Sequence, residues 1–247
     1  MELRITSNYL VSFLTILLFY PVAHSQTNAK TNLYDWFDNA IGKENLNINN
    51  GPLHSNPYRT ITNKNRYYID EFSIGNISYE NQIYFDVKLK YDILEDQVIF
   101  KLNKQTDNLA INLIRDKVDF FFIRNKKFIN LSFEADNLPD FITGYYEENF
   151  VGNGMELYIK HHKNRKEIYY FDGFYSDYIE NNEFVLKYKN TFQKIDSEKE
   201  IKQLFPEYKK AIGNFYYINR GIEKSDKKQF MENLIKQIDS FSNKNLK

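Results

Sequence analysis

The sequence predicts an α+β domain with a curved antiparallel sheet or open β-barrel, a short N-terminal helix and two to three C-terminal helices. Residues 83–133 alternate apolar and polar side chains with the period of two that half-buried strands show. About ten segments carry strand signals, which is too many for one small flat sheet. From Asp196 the period becomes 3.6, which indicates amphipathic helices.

The first segment, Met1–Ser25, has the pattern of a signal peptide. Arg4 precedes an apolar run over residues 9–22, and Ala23-His24-Ser25 places small residues where a signal peptidase requires them. A membrane anchor is the alternative, but the run is shorter than the roughly 20 residues that span a bilayer. We expect cleavage before Gln26, no stable membrane span afterwards, and a periplasmic or secreted protein.

The composition of residues 26–247 fits a single exported domain, with strands over about 66–195 and helices over about 197–241. The chain has 33 basic and 33 acidic residues, and the signal segment removes one of each. This neutrality argues against a general nucleic-acid-binding protein. The chain has no cysteine, which excludes disulfides, thiolate metal sites and an acylated-cysteine anchor.

The predicted N-terminal helix follows a polar tail. Asn32 can cap its first turn, Gly42 can end it, and the only tryptophan, Trp36, falls on its apolar face. An exposed aromatic platform for a ligand is the alternative, but we favour packing against the sheet.

The strand predictions alternate with turns along the chain. Asn153-Gly154 is a strong hairpin signal between two of these strands. On the central strands we expect Val87, Leu89, Phe120, Phe122 and Leu131 to be buried. Strands are predicted over residues 67–69, 76–80, 83–93, 98–102, 110–114, 118–122, 129–133, 145–151, 155–161, 166–171, 183–188 and 192–195, with the 166–171 and 183–188 strands as a pair.

Two apolar stripes predict the C-terminal helices. Ser197 and Glu200 form a capping box before the stripe over residues 201–216, and Pro206 either starts a second helix or kinks the first. Ser225 is the predicted cap of the last helix, whose apolar face covers residues 230–241. We expect these helices to dock on the apolar face of the central strands, because isolated helices of this length are marginal in water.

Candidate functional residues fall in two places. His54 and Arg59 lie in a loop bracketed by prolines, and a basic cluster contains Lys160, His161, His162 and Arg165. Adjacent histidines on a strand point to opposite faces, which argues against a shared metal ion. A solvated hairpin tip is the alternative to a binding surface for the basic cluster. The sequence has no phosphate-binding glycine loop, zinc-protease motif or nucleophile elbow, so no cofactor, metal or catalytic set is predicted.

The order of these elements resembles a broad group of uncharacterised exported bacterial proteins. The likeness lies in the signal peptide, in the strand pattern Gly75-Asn76-Ile77-Ser78-Tyr79 running into residues 83–93, and in Phe205-Pro206 followed by helices. It implies the fold and the compartment, and no activity. A looser likeness to periplasmic half-barrel lipoprotein carriers is weakened because here the helices follow the strands instead of being threaded between them.

Three functional hypotheses follow. We favour a non-catalytic protein of the bacterial envelope or secretome that binds a partner or a glycan. One alternative is a periplasmic carrier that holds a hydrophobic ligand in the hollow of an aromatic-lined sheet. The other is a hydrolase that uses His54 or His161, which requires a carboxylate or hydroxyl within hydrogen-bond reach of the histidine.

Overall fold

The computed structural model describes residues 46–60, 64–102, 109–134 and 138–244. The predicted signal peptide, the predicted helix around Trp36 and the polar loop over residues 104–108 lie outside the described residues. Among the described residues, no helix is both long and apolar enough to cross a membrane. The chain is mostly antiparallel sheet with helices toward its C-terminal end, which confirms the α+β prediction.

Twelve β-strands and four α-helices lie within the described residues. The strands are β1 (Ser73–Tyr79), β2 (Gln82–Asp92), β3 (Gln97–Lys101), β4 (Ala110–Asn112), β5 (Val118–Ile123), β6 (Lys126–Asn130), β7 (Tyr145–Val151), β8 (Met155–Lys160), β9 (Lys163–Tyr170), β10 (Gly173–Glu180), β11 (Glu183–Tyr188) and β12 (Thr191–Lys194). The helices are α1 (Glu198–Leu204), α2 (Lys209–Ile218), α3 (Arg220–Ser225) and α4 (Lys227–Lys244). Single 3₁₀ turns occupy Asn47–Asn49, Arg115–Lys117, Leu131–Phe133 and Pro206–Tyr208.

Ten strands form one sheet in the order β12-β11-β8-β7-β6-β5-β1-β2-β3-β4, and this sheet is not closed. Strands β9 and β10 form a separate two-stranded sheet. The predicted pairing of residues 166–171 with 183–188 is therefore wrong, because β11 pairs with β8 and β12. The sequence pattern also missed β10, whose polar Ser176 and Asp177 are buried and break the alternation. Residues 67–69 were predicted as a strand but make only an isolated bridge to β2, at Tyr67.

The large sheet is strongly curved. The rings of Tyr91 on β2 and Tyr145 on β7 have centroids 5.9 Å apart, although β1, β5 and β6 lie between those strands. In a flat sheet four strand spacings would separate them by about 19 Å. Phe121 and Phe128 stack at 4.9 Å, and both rings contact Tyr91. These rings fill the concave side of the sheet.

Bulges in β2 and β5 invert which side chains face the core. Gly75 pairs with Val87 and Ile77 with Tyr84, so β2 carries an extra residue between them, where Asp86 adopts a φ of 50°. In β5 the extra residue is Asp119. A one-residue offset moves every following side chain to the other face.

The bulge in β5 explains part of the outcome for the predicted core residues. Leu89 and Leu131 are buried as expected. Val87, Phe120 and Phe122 are only partly buried, so the prediction was wrong for them. In β5 the fully buried ring is Phe121, which lies on the face opposite to the predicted one.

The C-terminal helices begin at the predicted caps, with one exception. Ser197 and Glu200 form the capping box of α1, and Pro206 starts the 3₁₀ turn that separates α1 from α2. The last helix, α4, is capped by Asp226 and not by Ser225. The backbone N–H of Gln229 donates to Asp226 Oδ1 at 2.9 Å. A carboxylate is favourable at this position because it accepts a hydrogen bond from one of the first N–H groups of the helix, which have no partner within the helix.

The helices pack on β8 and β11, and not on the central strands as predicted. The other face of the same strands is covered by the segment around Ile142, which packs with Tyr146 and Tyr158. This end of the sheet is therefore buried on both faces. The helix-side core contains Leu157, Ile159, Phe184, Leu186, Ile201, Phe205, Ile212, Phe230, Leu234, Ile235 and Ile238.

Candidate functional site

The buried side chain of His161 meets the carboxylate of Glu147 at the centre of the candidate site. Strands β7 and β8 pair with Glu147 opposite Ile159, and His161 follows Ile159 by two residues. Since side chains two residues apart on an extended chain share a face, Glu147, Ile159 and His161 all point toward the helices. His161 Nε2 lies 2.7 Å from Glu147 Oε2, and the two side chains are 6% and 0% exposed.

Glu147 is held as an ionised carboxylate by its neighbours. Lys126 Nζ lies 3.1 Å from its Oε1, Lys228 Nζ lies 3.3 Å from its Oε2, and Asn149 Nδ2 donates to Oε1 at 3.3 Å. Burial would raise the pKa of Glu147, but the hydrogen bond from His161 and the charges of His161, Lys228 and Lys126 lower it from 4.5 to about 2. Because an ionised carboxylate only accepts hydrogen bonds, His161 Nε2 is the donor.

This hydrogen bond leaves one nitrogen of the imidazole ring, Nδ1, for other partners. Among the described residues, Nδ1 has no hydrogen-bond partner. The ring packs edge-on against Tyr68 at 4.8 Å and tilted against Phe128 at 5.8 Å, which prevents it from turning. Burial raises the pKa of Tyr68 to about 12, so its phenol stays neutral.

A cleft of about 580 Å³ opens beside this pair. His161 and Tyr68 lie on one side, the loop between β10 and β11 contributes Asn181 and Asn182, and the start of α4 contributes Lys228. The cleft volume is in the range of about 300 to 1,000 Å³ that is typical of small-molecule sites. A small molecule bound in this cleft would contact His161.

Lys160 points away from this cleft. Its Nζ lies 2.7 Å from Asp96 Oδ2 and donates to the carbonyl oxygen of Thr143 at 2.7 Å. Tyr91 donates to the other oxygen of Asp96 at 2.6 Å. Burial lowers the pKa of Lys160, while the charge of Asp96 opposes that shift. This cluster joins β8 to the turn between β2 and β3, so its evident role is structural.

His54 uses both of its ring nitrogens within the fold. Nδ1 lies 2.9 Å from Asn112 Oδ1, and Nε2 lies 3.0 Å from the hydroxyl of Tyr67. Burial and the charge of Asp92 raise the pKa of Tyr67 to about 12. The loop is thereby attached to β4, and His54 keeps no free nitrogen for catalysis in this arrangement.

The two predicted arginines reach the β9–β10 hairpin. Arg59 Nη2 lies 2.9 Å from the hydroxyl of Tyr175 and 3.4 Å from Asp172 Oδ2. Arg165 lies over the ring of Tyr58 at 4.3 Å and forms an ion pair with Glu167 at 2.9 Å. Arg165 is on the hairpin and Arg59 contacts it from the loop before β1, whereas Lys160 and His161 point into the fold.

His162 lies just before the hairpin, where its backbone N–H donates to Asn182 Oδ1 at 3.4 Å. The six predicted residues therefore do not form one surface. Over the parts of the chain that the structure describes, no three His, Asp or Glu side chains are grouped as a metal site requires.

The end of the hairpin carries four exposed aromatic residues, here called the aromatic tip: Tyr169, Tyr170, Phe171 and Phe174. Phe171 is 97% exposed, Tyr169 is 70% exposed and Phe174 is 66% exposed. Tyr169 and Phe174 are direct cross-strand partners, with ring centroids 5.3 Å apart. Exposed aromatic patches of this kind mark contact surfaces.

Sequence reasoning missed Glu147 and the aromatic tip. Glu147 and its neighbour Glu148 face apart, as adjacent residues of a strand do, and Glu148 pairs with Lys127 on the other face. No spacing rule places Glu147 near His161, because the contact depends on the register between β7 and β8. The sequence has one signal for the tip, the run of three aromatic residues Tyr169-Tyr170-Phe171. In the structure, Phe171 and Asp172 form the turn between β9 and β10.

Comparison with known proteins adds no homologue. No protein family model, curated protein or solved structure matches this chain.

Proposed function

We propose that this is an exported, non-catalytic recognition protein that contacts a partner protein through the aromatic tip. The observation that carries the proposal is the exposure of four aromatic rings at the end of a separate two-stranded sheet. Transfer of such rings from water to an apolar surface lowers the free energy, so their burial against a partner is favourable.

The hairpin holds the aromatic tip in a defined arrangement. Arg59 bridges Asp172 and Tyr175, and the backbone N–H of Ser176 donates to the carbonyl oxygen of Arg59 at 2.8 Å. A contact surface that is ordered before binding loses less conformational entropy on association.

The chemistry of the tip favours a protein as the partner. Protein interfaces are enriched in aromatic residues and arginine, and their strongest contacts insert such side chains into apolar pockets of the partner. Phe171 projects beyond the hairpin and is flanked by the Arg59 network, so it fits the role of a central anchor.

The test is photo-crosslinking followed by binding measurements. A photoreactive phenylalanine at position 171, expressed in intact source cells, should capture a partner that the same group at Tyr217, an 85% exposed site on α2, does not capture. The purified partner should then bind the Phe171→Ser variant at least about tenfold more weakly than wild type, a loss of about 1.4 kcal/mol. The Tyr217→Ser variant should bind like wild type.

Equal binding by wild type and Phe171→Ser would overturn the proposal. Binding of the tip to lipid vesicles or to a polysaccharide in place of a protein would also overturn it. Because Phe171 is almost fully exposed, its replacement should change stability by no more than about 0.5 kcal/mol. A loss of binding can then be assigned to the contact itself.

Export is the second part of the proposal. It rests on the apolar run over residues 9–22 and the small residues that follow it. N-terminal sequencing of protein from the periplasm or medium should begin at Gln26 or within a few residues. Recovery of the intact segment in washed membranes would contradict export with cleavage.

A hydrolase remains a second candidate because of one contact, the 2.7 Å hydrogen bond between His161 Nε2 and Glu147. A carboxylate that orients a histidine is part of many hydrolytic sites. Turnover of a panel of ester, amide and glycoside substrates that is lost in His161→Gln and kept in His54→Gln would favour this candidate. The carrier hypothesis has less support, because aromatic rings fill the concave side of the sheet.

A further inference from the structure

The cleft beside His161 combines a buried, oriented histidine with a lining of mixed polar groups. His161 is 5% exposed and yet lines the cleft, and Glu147 occupies its Nε2. The other nitrogen, Nδ1, is then the ring's remaining hydrogen-bonding atom. A hydroxyl group can pair with this nitrogen because a hydroxyl both donates and accepts hydrogen bonds.

We propose that this cleft binds a sugar, with His161 Nδ1 hydrogen-bonded to one of the sugar's hydroxyl groups. This site is separate from the aromatic tip and does not depend on the partner proposed for it.

The charges of the lining exclude a simple ion. Glu180 and Asp226 are acidic, Lys227 and Lys228 are basic, and His161 and Tyr68 are the other titratable groups there. The two carboxylates disfavour a phosphate, and the two ammonium groups disfavour a metal cation. A neutral ligand is repelled neither by the carboxylates nor by the ammonium groups.

The polar groups of the lining match hydroxyl groups. Asn181 offers an amide donor and an amide acceptor, and Ser225 offers a hydroxyl that can act in both ways. Asn182 offers its amide donor, because its Oδ1 accepts from the backbone N–H of His162. A sugar hydroxyl also donates and accepts. The lining also contains the ring of Tyr68, which can cover an apolar face of a pyranose.

The experiment uses the full chain labelled with ¹⁵N at histidine. Glucose, galactose, N-acetylglucosamine and inorganic phosphate are each titrated to millimolar concentrations while the ring nitrogens are followed by NMR. We expect at least one sugar to shift the Nδ1 signal of His161 in a saturable way. The signals of His54 serve as the internal control, because both of its nitrogens are bonded within the fold.

Two variants test whether binding occurs in the cleft. His161→Gln should weaken sugar binding by at least about tenfold, measured by calorimetry. Because His161 is buried and its loss also disturbs Glu147, Asn181→Ala on the exposed rim is the second variant and should weaken binding without changing the melting temperature. His54→Ala should bind like wild type.

Three results would overturn the proposal. The first is that no sugar of the panel shifts the His161 signals, and the second is that phosphate shifts them in place of a sugar. The third is that both His161→Gln and Asn181→Ala bind sugar as wild type does, which would place the site elsewhere.

Discussion

At the scale of single residues, Glu147 makes stability depend on pH. Its pKa is lowered from 4.5 to about 2 in the folded state, so the folded protein holds the ionised form more strongly than the unfolded chain does. The stabilisation is fully present above about pH 5 and is lost as the pH falls toward 2. The shift corresponds to about 3 kcal/mol of unfolding free energy.

Urea unfolding of wild type and Glu147→Gln at several pH values should show this loss. Between pH 5 and 2, the unfolding free energy of wild type should fall more steeply than that of Glu147→Gln, by up to about 3 kcal/mol. Glu148→Gln is the matched control, because Glu148 is the next residue of β7 and pairs with Lys127 on the other face. Parallel curves for wild type and Glu147→Gln would contradict the assigned role.

The neighbouring rings Phe120 and Phe121 allow a second test at this scale. Phe121 is fully buried and stacks on Phe128, whereas Phe120 is only partly buried. Phe121→Ala should therefore cost about 3 to 5 kcal/mol. Phe120→Ala should cost less than half of that, measured by chemical denaturation. A larger loss for Phe120→Ala would mean that the bulge at Asp119 does not form.

At the scale of elements, the bulge in β2 depends on a left-handed residue. Asp86 has a φ of 50°, and its backbone N–H donates to Asn76 Oδ1 at 3.1 Å. Asp86→Gly should be tolerated within about 1 kcal/mol, because glycine adopts this conformation without strain.

Asp86→Val should destabilise by about 1 to 3 kcal/mol, because a β-branched residue is strained at positive φ. Thermal unfolding of both variants measures the difference. Since Asp86 is exposed, the loss cannot come from buried contacts. Equal stability of the glycine and valine variants would indicate that β2 runs without a bulge.

Residues with positive φ also occur in three tight turns that join consecutive antiparallel strands. Both residues of each turn have a positive φ, and the turns are Glu80-Asn81, Arg124-Asn125 and Lys189-Asn190. This is the geometry of the type I′ turn, whose twist matches that of the flanking strands. Asparagine takes the second position each time because its side chain tolerates the left-handed region.

At the scale of the whole molecule, the C-terminal helices cover apolar residues of β8 and β11. A chain truncated after Asp196 would expose Leu157, Ile159, Phe184 and Leu186 to water, since these side chains are fully buried against α1, α2 and α4. We expect this fragment to be insoluble or molten, without near-ultraviolet circular dichroism. A fragment that melts cooperatively at the temperature of the intact protein would show that the helices are an independent arm.

The sequence by itself determined the elements that depend on neighbouring residues. Several predicted features are local, because each is set by backbone preferences within a few residues. They are the limits of β7 and β11, the Asn153-Gly154 hairpin, the Ser197–Glu200 capping box and the break at Pro206. The buried position of Leu89 was also predictable from alternation, whereas Leu131 is buried in a 3₁₀ turn that strand alternation does not describe.

The tertiary structure decided what depends on register and curvature. A single extra residue in β5 exchanges Phe120 for Phe121 in the core, and alternation alone cannot locate that residue. The pairing of β7 with β8 brings Glu147 to His161, and α4 adds Lys228 to the same carboxylate from 81 residues further along the chain. The candidate site is therefore a product of long-range packing, because its charges come from strands and a helix that no local pattern places together.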